Sequence, residues 1–514
     1  MVTRQNLKLF FKKDNVLHPF LFAVWPTLGM FSFNISLFNF SDILLPLALI
    51  IAFFFLFWLL LSKIFSNGIK AGLITSIFLI LFFTYGIIHH YVTDSSNNDD
   101  PIIFGLLYVI FIGILISLSV LIIKTKKNLS DLTFILNCTA ATIILISFIS
   151  IGNYYFDYYS FYDQTFDHSE SNVQNIELPN VYYIILDEYA NSKSLKKLFD
   201  FDNKEFLTNL KDRGFFIPSK GYNNYPSSFP SIPSMLNLNY VNHLDGTLTS
   251  SNYNAIFHKL ENQNLLMQKM NLYGYSIINI DGGINKKFSI AEKNLCINEF
   301  FNPQLVHSLT RISMLKSLDM GITLDETRKN RLCVFSDMST INEQIKGPIF
   351  VYAHLILPHS PFLFGPNGEY VNPENILLEW ETTSEQINSE QNLYLDQLKF
   401  TNKKTLELVD KILISDPDAL IIIQSDHGLR LGVDWENPSE EMMVQSLSGF
   451  QAYYFPTKNY DVLYDDMTPV NSWRIILNSF FEENYDLLDD SQYWMESVER
   501  PWNYTDVSQL VATN

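Results

Sequence analysis

Apolar residues are concentrated in five long stretches within the first 152 residues of the 514-residue chain. The stretches cover approximately residues 18–38, 43–62, 71–92, 101–123 and 132–152. Each is close to the roughly 20 residues that an α-helix needs to cross the hydrocarbon core of a bilayer. The sequence therefore predicts a membrane domain over residues 1–152 with about five transmembrane helices. Pro26 and Asn34 interrupt the first stretch, and an interfacial helix is the alternative interpretation there.

Basic residues are confined to alternate connections of this domain. They precede the first stretch, separate the second from the third, and separate the fourth from the fifth: Arg4, Lys8, Lys12, Lys13, Lys63, Lys70, Lys124, Lys126 and Lys127. Connections rich in Lys and Arg stay in the cytoplasm. The connections at 39–42 and 93–100 contain aspartates and no Lys or Arg. With five spans, the pattern predicts a multi-pass protein of the cell (inner or plasma) membrane whose residues after about 152 are extracytoplasmic.

The remainder of the chain is strongly acidic. Residues 1–150 hold nine Lys/Arg against six Asp/Glu, whereas the rest of the chain holds 26 against 48. Because binding to nucleic-acid phosphates requires clustered Lys and Arg, this balance argues against nucleic acid as a partner. Cys296 and Cys333 lie in the acidic part. They would form a disulfide in an oxidising compartment, and two free thiols are the alternative.

A different pattern begins after a Tyr- and Asp-rich connector at residues 153–178. Short apolar runs alternate with helical stretches, and the runs are Val181–Leu186, Tyr275–Ile280, Pro348–His354 and Ala419–Gln424. Continuous apolar strands separated by helices are typical of a mostly parallel sheet with helices on both faces. We therefore expect an α/β catalytic domain over residues 179–485 and a C-terminal tail over residues 486–514.

Polar side chains follow three of these strands where each one ends: Asp187, Glu188, His354, His359, Asp426 and His427. Ligands of parallel sheets bind at the carboxyl ends of the strands. Carboxylate and imidazole together form a donor set for a divalent ion such as zinc or manganese. Taken singly, each residue has an ordinary structural interpretation, such as a helix cap or a buried histidine. Their joint placement is what predicts a metal site.

The segment Asn224–Asn237 has the features of a helix start, with serines at cap positions, prolines that a first turn tolerates, and apolar residues after them. The beginning of a helix offers unpaired N–H groups and a positive dipole end to an anion. Ser227 and Ser228 are adjacent hydroxyls there, and we expect one of them to be a nucleophile.

Taken in order, these segments resemble the alkaline phosphatase/sulfatase superfamily, in particular the membrane-anchored branch of lipoteichoic acid synthase and the phosphoethanolamine transferases. The resemblance covers about residues 179–480 and rests on residues 179–187, 224–237, 353–362, 425–428 and 449–456. It implies an alkaline phosphatase-like α/β fold and one divalent metal ion, Mn²⁺ or Zn²⁺. The implied metal ligands are Asp187, Ser228, Asp426 and His427. The resemblance further implies that Ser228 is the nucleophile and that His359 and His354 contact the phosphate group.

The chain also departs from the family pattern. Ser228 stands where this branch usually has Thr, and Ser227 is the alternative nucleophile. Glu188 stands where close relatives often have Gly and sulfatases have a second acidic ligand, so Glu188 either binds the metal or faces solvent. Formylglycine formation requires (Cys/Ser)-x-Pro-x-Arg, and the run from Ser228 to Ile232 ends in Ile instead of Arg. This change disfavours sulfate-ester hydrolysis, and the lack of a second His-rich motif favours a one-metal transferase.

The expected reaction is transfer of a phospholipid head group, of phosphoglycerol or phosphoethanolamine type, to a surface glycan or lipid through a Ser-linked intermediate. One alternative is a phosphodiesterase, phosphatase or sulfatase-like hydrolase that gives the group to water. Another is a non-catalytic component of envelope polysaccharide assembly. The sequence leaves the donor, the acceptor and the metal open.

Overall fold

The computed structural model describes residues 13–94, 101–161, 178–244, 246–299, 301–316, 320–371, 384–497 and 499–513. Its contacts divide the chain into two compact units. The first unit comprises Met1–Tyr155 and Asn298–Glu326, and the second comprises Phe156–Ile297 and Thr327–Asn514. The first unit therefore includes a segment from the middle of the predicted catalytic domain.

The N-terminal part of the first unit is helical. Its helices are α1 (His18–Phe33), α2 (Leu44–Phe65), α3 (Gly68–Asp94), α4 (Pro101–Lys124) and α5 (Ser130–Ser160), and a 3₁₀ turn at Phe40–Ile43 precedes α2. Among the described residues, the four helices α2 to α5 are long and apolar enough to cross a membrane. Helix α1 has 16 residues. At 1.5 Å per residue it spans about 24 Å, less than the hydrocarbon core of about 30 Å. The count of five spans stays a prediction.

The segment Asn298–Glu326 packs against helices of this unit. Its helix α11 (Pro303–Arg311) packs against α1 and α3. The Met314 N–H donates to the Phe82 carbonyl at 2.9 Å, and the Asn302 amide donates to Asp42 Oδ2 at 3.3 Å. The contact with Asp42 lies at the connection 39–42, which the loop charges predict to be extracytoplasmic. The packing is consistent with that topology, because the segment belongs by sequence to the predicted extracytoplasmic part.

Cys296 and Cys333 lie on either side of this segment, and both belong to the second unit. They form a disulfide, so the first of the two sequence-based alternatives holds. The bond closes a loop of chain that leaves the second unit before Asn298 and returns to it after Glu326.

The second unit is built on a six-stranded sheet with the strand order β3-β2-β4-β1-β5-β6. Its strands are β1 (Val181–Leu186), β2 (Ser276–Gly282), β3 (Lys293–Leu295), β4 (Ile349–Leu355), β5 (Leu420–Ser425) and β6 (Gln451–Tyr454). Strands β1 to β5 run parallel, and β6 pairs antiparallel with β5. Every residue of β1, β4 and β5 is buried, as expected for strands covered on both faces. The predicted fold class is confirmed.

The remaining helices of the chain connect or follow these strands. They are α6 (Ser192–Phe199), α7 (Lys204–Asp212), α8 (Ser228–Leu236), α9 (Tyr253–Asn262), α10 (Leu265–Leu272), α12 (Met320–Asp337), α13 (Ile341–Gln344), α14 (Ser384–Ser415), α15 (Glu440–Leu447), α16 (Pro469–Phe480) and α17 (Ser508–Thr513). Short 3₁₀ turns occur at Val241–Leu244 and Met338–Thr340. Alternate β1 residues, among them Tyr183, pack with apolar side chains of α8, α10 and α16. This core fixes the beginning of α8 relative to the sheet.

The residues after 485 include a two-stranded hairpin, β7 (Tyr493–Ser497) and β8 (Arg500–Asp506), and helix α17. Trp502 of the hairpin is buried and packs in one cluster with Tyr225 and Phe257. The segment predicted as a C-terminal tail therefore contains structure that packs onto the catalytic domain, because its aromatic side chains can bury apolar surface there.

Candidate metal centre and active site

Three adjacent strands, β4, β1 and β5, bring their carboxyl ends to one edge of the sheet. Ile185 pairs with His354 in β4, and Leu186 pairs with Ser425 in β5. Asp187 follows β1 and Asp426 follows β5, so both lie within about two residues of His354 in the register of the sheet. The Asp187 N–H donates to the Leu355 carbonyl at 2.9 Å, which continues the ladder into the site.

Four buried side chains converge at this edge. The Nε2 atom of His427 lies 3.3 Å from Asp187 Oδ1 and 3.6 Å from Asp426 Oδ2. The Nε2 atom of His354 lies 3.5 Å from Asp187 Oδ2 and 3.7 Å from Asp426 Oδ2. Asp187, His354 and Asp426 offer atoms close enough together to hold one metal ion. We call Asp187, His354, Asp426 and His427 the metal-site group.

One atom of each member has no hydrogen-bond partner among the described residues although it is buried: Asp187 Oδ1, His354 Nε2, Asp426 Oδ2 and His427 Nε2. Buried polar atoms without partners cost free energy. The Nδ1 atom of His427 lies 2.7 Å from the Gly428 carbonyl. If Nδ1 carries the proton for that hydrogen bond, the Nε2 lone pair faces the group, as in a metal-binding histidine. The four atoms fit a divalent cation that takes mixed oxygen and nitrogen donors.

The electrostatics of the metal-site group are dominated by mutual attraction of opposite charges. Burial alone would raise the pKa of the Asp187 carboxyl, but neighbouring imidazoles outweigh it and hold that pKa well below its ordinary value: His359, His354 and His427. Burial lowers the pKa of the His354 and His427 imidazoles, yet the adjacent carboxylates prevail and raise both above the ordinary value. Positive charge is therefore stabilised at this position.

Asn223 and Gly449 pack closely against Ser425 at the end of β5. With its amide oxygen facing them, Asn223 accepts hydrogen bonds from Ser425 Oγ at 3.1 Å and from the His427 N–H at 3.0 Å. A Cβ atom on Gly449 would lie 2.1 Å from this same terminal amide atom of Asn223 and 2.2 Å from Ser425 Oγ. Only glycine allows this approach, and the contact fixes the segment that leads to Ser228.

Ser228 is half-buried and is the first residue of helix α8. Ser227 before it is extended, with φ −153° and ψ 155°, and makes no side-chain cap hydrogen bond. The Ser228 hydroxyl makes no hydrogen bond to any residue in the described part of the chain, so its predicted metal ligation and its role as nucleophile stay predictions. The structure brings the predicted ligands Asp187, Asp426 and His427 together, and it places beside them His354, which the sequence analysis assigned to the phosphate.

The Glu188 carboxylate makes its contacts with Arg430 and His359. Its Oε1 accepts a hydrogen bond from the Arg430 N–H at 2.7 Å, and its Oε2 lies 3.7 Å from His359 Nε2. Arg430 Nη2 lies 2.8 Å from His359 Nε2. We call Glu188, His359 and Arg430 the arginine group. The Glu188 N–H donates to Asp426 Oδ1 at 3.3 Å, so the two groups are adjacent.

Two arginines that the sequence analysis missed support the loop of His359. Arg331 is buried and directs its guanidinium at the backbone carbonyls of His359, Ser360 and Pro361, at 3.3, 3.2 and 2.8 Å. Burial lowers the pKa of Arg331 to about 9, and the Asp187 carboxylate acts in the opposite direction. Arg331 lies on the apolar face of α12 with Leu324 and Phe335, and a basic residue at such a position is a signal that the sequence contained. Arg430 follows His427 by three residues. Its closeness in sequence to a predicted metal ligand is the only signal by which it could have been found.

A family model described as Sulfatase matches residues 179–472 of the chain. The match covers more than half of the chain and all residues of the metal-site group and the arginine group. The chain belongs to this family, which confirms the predicted alkaline phosphatase/sulfatase superfamily and makes the protein a sulfatase-like hydrolase or transferase. No curated protein sequence matches the chain.

Several solved structures are similar to part of the chain. The C-terminal periplasmic domain of EcEptC from Escherichia coli has 10% identity and a TM-score of 0.42, covering 66% of this chain and 95% of that one. A phosphonate monoester hydrolase of Agrobacterium radiobacter has 12% identity and a TM-score of 0.40, covering 62% and 80%. The C-terminal periplasmic domain of the phosphoethanolamine transferase EptC from Campylobacter jejuni has 13% identity and a TM-score of 0.33, covering 60% and 90%. The family membership rests on the sequence match.

Proposed function

We propose that the protein transfers the phosphorus-containing head group of a phospholipid, of phosphoglycerol or phosphoethanolamine type, to a hydroxyl of a surface glycan or lipid. The observation that carries the proposal is the metal-site group, whose four buried atoms face one another without partners. A non-catalytic component of envelope assembly would gain nothing from so costly an arrangement of buried polar atoms.

We propose that one divalent ion, Mn²⁺ or Zn²⁺, binds Asp187, Asp426 and His427 together with the Ser228 hydroxyl, and that His354 lies against it. The four partnerless atoms support this assignment, since a cation would satisfy all of them. When bound, such an ion supplies Lewis acidity, which lowers the pKa of a coordinated hydroxyl and neutralises charge on phosphoryl oxygens.

In the proposed reaction the Oγ atom of Ser228 forms a bond to phosphorus, and the bond from phosphorus to the diacylglycerol oxygen breaks. The serine proton leaves, and the departing diacylglycerol oxygen takes up a proton. In the second half, the acceptor oxygen forms a bond to phosphorus while the Ser228 oxygen–phosphorus bond breaks and the serine regains a proton. The N–H groups at the beginning of α8 favour the negative charge of the group being transferred.

The arginine group would contact the same phosphoryl oxygens. The guanidinium of Arg430 presents several N–H donors in a rigid fork that matches phosphate oxygens. Glu188 holds the Arg430 backbone and lies near His359, so it would position both side chains. In this proposal Glu188 is a positioning residue and not a metal ligand.

A lipid donor leaves the bilayer only at a high hydrophobic cost, so the site must reach the membrane surface. The apolar helices α2 to α5 meet that requirement. The loop charges favour an extracytoplasmic catalytic domain, and the disulfide fits an oxidising compartment. A reporter fused after residue 170 tests the topology. We expect activity from a reporter that works only outside the cytoplasm, whereas activity from a reporter that works only inside it would overturn the orientation.

Release of diacylglycerol tests the reaction itself. The full chain is incubated with vesicles of phosphatidylglycerol or phosphatidylethanolamine, with and without a glycan acceptor and with and without chelator. We expect metal-dependent release of diacylglycerol that the acceptor stimulates and that Ser228→Ala abolishes. Release that is unaffected by acceptor would identify a phosphodiesterase, and cleavage of sulfate esters in place of phospholipid would contradict the proposal.

A further inference from the structure

A small apolar cavity lies at the beginning of helix α8. It has a volume of about 200 Å³, and its wall includes both sequence neighbours of Ser228, namely Ser227 and Phe229. Most of the remaining wall is apolar or aromatic and is formed by Pro226, Tyr253, Met495, Pro501 and Tyr504. Because consecutive Cα atoms are about 3.8 Å apart, this apolar surface is next to the proposed nucleophile.

The β7–β8 hairpin supplies one side of this cavity. Met495 and Tyr504 are directly opposite each other in the hairpin, and both line the cavity together with Pro501. The family match ends at residue 472, so these three residues lie outside the region that defines the family. The wall beside Ser228 therefore comes in part from residues beyond the family match.

Specific contacts fix the hairpin to the segment that precedes Ser228. The Tyr493 N–H donates to the Asn224 carbonyl at 2.9 Å. The ring of Tyr504 lies edge-on to Tyr225 with centroids 5.0 Å apart, and Trp502 lies 4.8 Å from the ring of Tyr253. Aromatic contacts of this kind stabilise beyond the area that they bury. The hairpin thus holds a set position beside the beginning of α8.

The hairpin also contacts the segment that follows the metal-site group. Trp494 stacks on Trp435 with centroids 5.3 Å apart and planes inclined by 15°. Trp435 follows Arg430 by five residues. The hairpin therefore bridges the segment of the proposed nucleophile and the segment of the arginine group, and it is suited to form part of a substrate site that both segments share.

We propose that this cavity binds the glyceride part of the phospholipid donor and that Met495, Pro501 and Tyr504 determine specificity for it. The inference rests on the proposed function. In head-group transfer the broken bond joins phosphorus to the diacylglycerol oxygen, so the glyceride lies within a few bonds of the atom that Ser228 attacks. A whole-ligand site usually measures about 300–1,000 Å³, so a cavity of 200 Å³ accommodates the glycerol backbone and the first methylenes while the acyl chains extend beyond it.

The test compares two substrates that share the scissile bond and differ only in acyl chains. They are dioctanoyl phosphatidylglycerol and glycerophosphoglycerol, and the corresponding ethanolamine compounds are assayed in parallel. All assays use the full chain in detergent. Met495→Trp fills the cavity. We expect the ratio of kcat/KM for the acylated over the deacylated substrate to fall about tenfold, comparable to other changes of volume in apolar pockets. The matched control is Glu496→Trp, on an exposed neighbouring residue of the same strand, which should leave the ratio unchanged.

Each other outcome overturns the inference. An unchanged ratio in Met495→Trp, or an equal loss on both substrates, would mean that the hairpin has a structural role only. A changed KM for the acceptor with an unchanged donor ratio would assign the cavity to the acceptor. If Met495→Trp does not fold, Met495→Ala enlarges the cavity without added bulk and should also shift the ratio. If the unaltered protein cleaves no phospholipid, the proposed function fails; activity with an insensitive ratio removes only this inference.

Discussion

The metal-site group and the arginine group lie side by side at one edge of the sheet and satisfy their charges in opposite ways. In the metal-site group, four buried atoms face one another and none has a hydrogen-bond partner in the described part of the chain. In the arginine group, Glu188 accepts a hydrogen bond from Arg430, and Arg430 contacts His359. The first group offers four converging atoms to a cation, whereas contacts within the second group hold its side chains and leave Arg430 Nε as its one buried atom without a partner among the described residues.

A single backbone feature separates the two groups. Glu188 has a φ of 62°, in the left-handed region that side chains other than glycine rarely adopt. This turn sends two consecutive carboxylates in different directions, Asp187 toward the metal-site group and Glu188 toward Arg430. A strained non-glycine residue at a functional site persists when its surroundings hold it, and here the Arg430 N–H does so. The predictions below test whether the groups are independent.

The largest effect is expected for Asp426→Ala. This change removes two of the four converging contacts and leaves the histidines facing an empty position, so the metal-site group loses its cation. We expect turnover to fall below detection and metal analysis to find no bound ion. An Asp426→Ala variant that still binds one metal ion per chain would contradict the assignment of Asp426 as a ligand.

The next largest effect is expected for Ser228→Ala. Loss of the nucleophile should reduce turnover by about 10³-fold or more and remove the covalent intermediate. Ser227→Ala is the matched control and should cost far less, since it leaves the Ser228 hydroxyl in place and removes only one polar atom from the wall of a mostly apolar cavity. Reversal of this order would move the nucleophile to Ser227.

A smaller effect is expected for Arg430→Ala. Removal of one donor to the developing charge should lower kcat by about 10²-fold, while metal content stays at the level of the unaltered protein. Arg430→Lys keeps the charge and loses the rigid fork of donors, so its activity should lie between that of the unaltered protein and that of Arg430→Ala. Loss of metal from either variant would show that the two groups are coupled and would end the distinction between them.

The smallest effect is expected for Glu188→Gly. Glycine relieves about 1–2 kcal/mol of left-handed strain, and the change also removes a charged hydrogen bond worth about 1.5–3 kcal/mol. We therefore expect a change in unfolding free energy of no more than about 2 kcal/mol, unchanged metal content, and an activity loss of about tenfold or less. Thermal unfolding and metal analysis check this. Loss of the ion would instead make Glu188 a second acidic ligand.

The strands that build the site could be predicted from sequence because their apolar runs are continuous. The predicted runs differ from the observed bounds of β1, β2, β4 and β5 by no more than two residues. Strand β3 has only three residues, all half-buried, and β6 has only four, all buried, so neither presents a run long enough to recognise. The association of Asn298–Glu326 with the first unit depends on contacts far apart in the chain, which no local pattern reports.

The candidate site shows the same difference between what local sequence patterns predict and what depends on contacts between distant parts of the chain. The proximity of Asp187, Asp426 and His427 could be predicted because all three lie within two residues of a strand end, and parallel strands bring their carboxyl ends together. Arg331 reaches the loop of His359 from a helix about 30 residues earlier in the chain. The wall of the cavity beside Ser228 comes from a hairpin about 270 residues later. Such long-range contacts need the folded structure, because sequence spacing carries no information about them.

The most direct test of the account is to trap the intermediate on the proposed nucleophile. The full chain is mixed with phospholipid donor in the absence of acceptor, quenched rapidly in acid and digested, and the peptide that contains Ser227 and Ser228 is examined by fragmentation mass spectrometry. The account predicts the mass of the lipid head group on Ser228, present in the Ser227→Ala variant and lost in Asp426→Ala. A head group on Ser227, or turnover of donor with an unmodified peptide, would contradict it.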